Sequence, residues 1–203
     1  CFLLSSDGHK TCQPFFAKEA EDAFLSFIAK ERLKHIVSKE AFNIDGLGKK
    51  VIEQLWDLKL IKFPADIFDL NYERIIELEG WGELSIQNLK NAIKKAKTIS
   101  LDRFVYSIGI RHIGQENAKI LGNFFISIKS FLKLTSSDYR KKILKNLSEL
   151  DGIGNTQIKS IENFFQNSKN TQVLKDLVNV LQVTNFKIST KKGKLSQKNL
   201  MFT

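Results

Sequence analysis

Apolar residues recur at helical intervals along most of this chain. Ile86, Leu89 and Ile93 fall at i, i+3 and i+7, which is one face of a helix. Val51, Ile52 and Leu55 form a similar stripe, as do Ala118, Ile120 and Leu121, and again Ile158, Ile161, Phe164 and Phe165. Each stripe starts just after a short glycine-containing turn. A further apolar stretch leads into the turn: Tyr72 to Leu78 ahead of the second, and Phe104, Val105 and Ile108 ahead of the third. The pattern predicts a mainly α protein in which helix, tight turn and helix recur four times.

The glycines mark the turns. Eight of the eleven lie in four clusters: Gly46-Leu47-Gly48, Gly80-Trp81-Gly82, Gly109-Ile110-Arg111-His112-Ile113-Gly114 and Gly152-Ile153-Gly154. Gly46 and Gly80 are 34 residues apart and the later clusters follow at similar intervals, a spacing typical of a repeated supersecondary unit. The first glycine of a cluster can take a positive φ and reverse the chain without a Cβ clash. The central apolar residue, Leu47, Trp81 or Ile153, is expected to turn inward between the helices. The second glycine bares the N–H groups that open the next helix, and those unpaired donors with the positive end of the helix dipole suit an anion such as a DNA phosphate. A simpler role, capping and reversing helices in an all-α protein, accounts for one such turn more readily than for four in a basic chain.

Composition narrows the class. With 203 residues, 42% hydrophobic and 27% charged, the chain can build a core and a solvated surface. No apolar run approaches the roughly 20 residues of a membrane-spanning helix, and no N-terminal stretch has the order of a secretory signal. The net charge of +10 suits a polyanionic partner, since neutralised phosphates release counterions, although a Lys-rich solvated surface gives the same number. Two cysteines suit a reducing cytosol. Cys1 at the start, with Met201 as the single methionine, leads to the expectation that the chain is a piece of a longer one.

Residues 29–38, Ala-Lys-Glu-Arg-Leu-Lys-His-Ile-Val-Ser, followed by Ala41-Phe42-Asn43-Ile44-Asp45-Gly46-Leu47-Gly48, closely resemble the segment of bacterial NAD-dependent DNA ligases that enters their helix-hairpin-helix domain. Ser107 to Gly114 is similar to that family's third hairpin, which is longer than the others. Leu78 to Gly82 and Leu150 to Gly154 are similar to its second and fourth. The resemblance implies a helix-hairpin-helix domain over residues 29–185 that grips nicked double-stranded DNA while other domains of the same chain seal the nick during replication and repair. It implies phosphate contacts near Gly46, Gly48, Gly80, Gly82, Gly109, Gly114, Gly152 and Gly154, with Lys49, Lys50, Arg111 and Lys159 as side-chain partners. Arg111 is favoured because a guanidinium can hold a phosphate through two hydrogen bonds. His112 is read as a helix cap or as bonded to a carbonyl within the turn. NAD and magnesium belong by the same resemblance to an upstream catalytic site. The expected setting is a monomer in the bacterial cytosol, associated with the nucleoid.

Two departures limit the resemblance. The family carries a four-cysteine zinc finger ahead of residue 29, but here Leu4 stands at the second ligand position and Phe24-Leu25-Ser26-Phe27 replaces the last. Cys1, His9 and Cys12 offer three ligands where tetrahedral zinc takes four, so residues 1–28 are expected to form a degenerate finger-like lobe without metal. Cys1 would be the remnant of a ligand, and Phe15, Phe16, Phe24 and Phe27 a replacement core. The family's adenylated lysine precedes an x-Asp-Gly sequence, whereas Asn43-Ile44-Asp45-Gly46 offers a carboxamide that cannot form that adduct. No catalytic residue is therefore assigned. Residues 186–194 read as a basic linker, and 195–203 as the opening strand of a truncated BRCT domain. The alternatives are a non-enzymatic DNA-binding adaptor of a repair or recombination complex, and an all-α interaction module that never touches DNA.

Overall fold

The computed structural model describes residues 14–187, with side chains from residue 23 onward. The remnant ligands Cys1, His9 and Cys12, the rings of Phe15 and Phe16, and the strand expected at 195–203 lie outside the described residues. The described chain is mainly α, and it divides into two compact units. The first comprises Cys1–Lys39 and Asn43–Lys95, the second Glu40–Phe42 and Ala96–Thr203.

The first unit is built on α1 (Pro14–Val37), α2 (Lys49–Asp57), α3 (Tyr72–Ile75) and α4 (Glu83–Ala96), the last residue of which opens the second unit. Leu33 and Ile36 of α1, Ile52 and Leu55 of α2, Ile75 of α3 and Leu89 of α4 are all buried. The apolar periodicity of each helix thus defines the face it packs. Helix α2 stops at a left-handed residue: Lys59 has φ +57° and its N–H reaches the Trp56 carbonyl, while Leu60 N–H reaches Leu55. Lys30 pairs with Asp57 at 2.7 Å and Lys34 with Glu53 at 2.6 Å, tying α1 to α2.

Helix α1 runs without a break across residue 28, where the finger-like lobe was expected to end. Phe24 and Phe27 do not form the expected replacement core. They are 63% and 57% exposed.

The second unit contains β1 (Thr98–Ser100), α5 (Leu101–Ser107), α6 (Gln115–Phe125), α7 (Ile128–Leu132), α8 (Ser137–Leu147), α9 (Asn155–Gln166), α10 (Ser168–Val180) and β2 (Gln182–Thr184). Phe131 of α7 is fully buried and meets Phe125 and Phe165 edge-to-face, with centroids 5.2 and 5.5 Å apart. Strands β1 and β2 pair in parallel, Ile99 opposite Val183. Periodicity gave no sign of them, since three residues are too few to show an alternation. The expected linker also starts later than residue 186. Phe186 N–H donates to the Ile126 carbonyl at 2.8 Å, and its ring lies so close to Gly122 that a Cβ there would be 2.9 Å from Cδ2.

Candidate nucleic-acid interface

The four turns share one backbone. In each, the N–H of the central apolar residue donates to the carbonyl three residues earlier: Leu47 to Ile44 at 3.3 Å, Trp81 to Leu78 at 3.1 Å, Ile113 to Ile110 at 3.1 Å and Ile153 to Leu150 at 3.2 Å. Between donor and acceptor sits a residue of positive φ, at +92° for Gly46, +85° for Gly80, +61° for His112 and +87° for Gly152. A final glycine follows, and its carbonyl accepts the first intrahelical bond, from Ile52, Ile86, Ala118 and Ile158 respectively. We number these five-residue turns 1 (Ile44–Gly48), 2 (Leu78–Gly82), 3 (Ile110–Gly114) and 4 (Leu150–Gly154).

This alignment corrects the reading of the third cluster. Its turn is no longer than the others. His112, not Gly109, occupies the slot that glycine fills elsewhere. Gly109, with φ +67°, stands three residues upstream, where turn 1 has Asn43 at φ +52°. The inward packing of the central residue holds for Leu47, Ile113 and Ile153, all buried. Trp81 is only half-buried and lines an open cleft with Asp45, Gly46 and Glu79.

Within each unit the turns come in pairs. Gly46 of turn 1 lies against Leu89 on α4, the helix that follows turn 2; a Cβ there would be 3.6 Å from Leu89 Cδ1. Gly152 of turn 4 lies tighter against Ile120 on α6, the helix that follows turn 3; a Cβ there would be 2.6 Å from Ile120 Cδ1. Asn117 Nδ2 of α6 donates to the Gly152 carbonyl at 2.9 Å.

The final glycines are the informative ones. Gly48 and Gly114 have φ −69° and −82°, values open to any residue, and Gly82 is likewise outside the left-handed region. A Cβ added to Gly48, Gly82 or Gly114 would meet nothing within 4 Å. At Gly154 it would meet only the Gln157 carboxamide oxygen, which caps the Gly154 N–H at 3.2 Å. At three of the four turns the fold itself does not require glycine. What glycine keeps clear there is the approach to the free N–H groups of α2, α4 and α6, where a helix attracts an anion.

Charge then separates the turns. The second residue of each is exposed: Asp45, Glu79, Arg111 and Asp151. Only turn 3 carries a cation there. Glu77, Glu79 and Glu83 surround turn 2, while turn 1 sets exposed Lys49 and Lys50 against Asp45. Five residues beyond the final glycine stand Glu53, Gln87, Lys119 and Lys159 in turn order. Lys159 was expected from the sequence, and Lys119 at the same register was missed. Lys119 pairs with Glu116 at 2.6 Å, and that hydrogen bond holds its ammonium above the ordinary lysine value. Counted over the full sequence, the first unit has 14 basic and 14 acidic residues, the second 18 and 8. The whole net charge of +10 thus falls in the second unit. That asymmetry was readable from the residues, and so was the alignment that isolates His112.

Residues 103–174 match the family model of the helix-hairpin-helix motif. The match takes in turns 3 and 4, and turns 1 and 2 repeat their backbone hydrogen bond and positive-φ slot. The chain's sequence is similar to a stretch of known DNA ligases. It is 50% identical over 176 residues to the DNA ligase of Pelagibacter ubique (strain HTCC1062), which covers 87% of this chain and 25% of that ligase. It is 39% identical over 183 residues to the DNA ligases of Rickettsia bellii (strain RML369-C) and Rickettsia typhi, covering 85% of this chain and 26% of each. The chain thus spans about a quarter of the length of the relatives it matches.

Proposed function

We propose that this chain is the DNA-gripping portion of an NAD-dependent DNA ligase, holding nicked duplex through hairpin–phosphate contacts. The observation that carries this reading is the glycine at the end of each turn. At Gly48, Gly82 and Gly114 neither φ nor packing demands it, so the constraint comes from a partner that approaches the backbone closely. A phosphodiester oxygen has the charge and size for that approach, and contacts of this kind position a duplex without reading its sequence.

The chain contributes affinity and orientation, a proximity effect, and performs no bond chemistry itself. Asn43 stands where an adenylated lysine would be needed, and its backbone is committed to turn 1, its N–H donating to the Ser38 carbonyl at 2.8 Å. NAD as the AMP donor and magnesium act in another part of the parent enzyme. The parent works as a monomer in the bacterial cytosol, in replication and repair.

The test is Gly114→Val. Valine is comfortable at φ −82° and ψ −176° and meets no neighbour, so the thermal midpoint stays unchanged. Affinity for nicked duplex, measured by fluorescence anisotropy, falls about tenfold, the worth of one charge-assisted phosphate contact. Unaltered affinity with the fold intact would remove the hairpin–phosphate model.

A further inference from the structure

We infer that His112 is a DNA-contact residue whose imidazole donates to a phosphate oxygen, so that turn 3 adds a side-chain donor in the slot where the other three turns have glycine. The inference rests on the DNA-binding reading above. Its starting point is the comparison of four turns within one chain. Three of them fill the positive-φ slot with glycine, and turn 3 fills it with histidine at φ +61°. A residue with a Cβ is strained there, and such strain persists where the rest of the structure or a function requires it.

The structure supplies no internal requirement. His112 is exposed, and among the described residues its imidazole has no hydrogen-bond or ion-pair partner. It therefore does not cap a helix or bond a turn carbonyl, as the sequence suggested. The other non-glycine residues of positive φ each have a local account. Asn43 has a short polar side chain that tolerates this region. Lys59 closes the end of α2 through its N–H, and Ile126 is fixed by the bond from Phe186 N–H to its carbonyl. His112 is the one of the four that occupies the slot glycine fills in the other turns.

Its neighbours indicate the ligand. Arg111 beside it is exposed and also without a partner among the described residues, and this is the one turn of the four without an acid at its second position. Turn 3 belongs to the unit that carries the full net charge of +10. Two adjacent donors on a strained, exposed tip, next to a final glycine that leaves its helix start open, are arranged for a phosphodiester backbone rather than for the protein's own core.

The experiment compares the 203-residue chain with its His112→Gly and His112→Asn variants, using nicked duplex DNA and thermal unfolding. In H112G the strain is relieved, so the thermal midpoint holds or rises by a few degrees. Affinity nevertheless falls about five- to tenfold, as expected for one lost charge-assisted contact. In H112N the backbone is tolerated and an N–H donor remains, so affinity lies between the two. Affinity of H112G within twofold of the starting chain overturns the inference. So does a drop in its midpoint, which would mean that histidine serves the fold. H112N as weak as H112G overturns the hydrogen-bonding role. If the unaltered chain itself fails to bind the duplex, it is the DNA-binding reading that falls.

Discussion

The two units of this chain use the same device under different electrostatics. Each pairs two turns of identical backbone, and in each a positive-φ glycine of one turn rests on the helix that follows the other: Gly46 on Leu89, Gly152 on Ile120. Yet the first unit balances 14 basic with 14 acidic residues and shows Asp45 and Glu79 at its tips, whereas the second carries 18 against 8 and shows Arg111 and Asp151. Backbone geometry and surface charge are therefore separable. A turn can keep its conformation, and its open helix start, while its side chains favour or oppose a phosphate. The second unit should dominate affinity. The first offers backbone donors whose attraction is offset by nearby carboxylates.

The strongest way to break this comparison is through the cores. Phe131→Ala removes the centre of the aromatic cluster in the second unit and should cost about 3–5 kcal/mol, and Leu55→Ala in the first about 2–5 kcal/mol. Calorimetry with parallel binding measurements should show F131A losing nearly all affinity at temperatures where its unit has melted. L55A, at matched destabilisation, should keep a measurable fraction.

A smaller effect comes from charge alone. Glu79→Arg gives turn 2 the cation that turn 3 has, and affinity for duplex at low salt should rise about two- to threefold, with the gain screened away as salt increases. A titration showing no gain would mean that turn 2 faces away from the nucleic acid. Gly82→Val belongs with it. If turn 2 contributes little, this change should weaken binding by less than about twofold, against the tenfold expected at Gly114.

The smallest effect concerns the ion pair peculiar to the first unit. The hydrogen bond from Lys34, at 2.6 Å, holds the Glu53 carboxyl below its ordinary value. The folded chain thus keeps Glu53 charged at pH values where the unfolded chain has begun to protonate it. The contribution is complete above the ordinary carboxylate range and is lost as pH falls through the depressed folded value. Glu53→Gln should leave the midpoint almost unchanged in acid and lower it slightly at neutral pH. A pH series of melting curves would detect this, and equal shifts at all pH values would rule it out.

Much of this organisation was legible in the residues because each turn makes demands that few side chains meet. A positive φ favours Gly46, Gly80 and Gly152, and burial at i, i+3 and i+7 favours Ile86, Leu89 and Ile93. Counting glycines failed where a turn satisfied the same backbone with another residue. His112 was hidden because Gly109, three residues away, looked like the start of the turn. Trp81 followed the apolar pattern but is only half-buried, and no pattern of residue types encodes how far a side chain is covered. Phe24 and Phe27 followed it as well, yet both are exposed. The short pair β1–β2 escaped because it is held by contacts 84 residues apart, Thr98 opposite Gln182, and not by any local alternation.

That last pair has a mechanical consequence. From residue 96 on, β1 is the first element of the second unit and β2 its last described one, and the strands run the same way. Tension applied through the flanking chain therefore pulls them past each other lengthwise, loading their hydrogen bonds together instead of peeling them one by one. The Gln182 N–H to Lys97 carbonyl bond, at 2.7 Å, and the Phe186 anchor on Ile126 extend the clasp on either side. A unit fastened in shear keeps its paired turns in register under such a load.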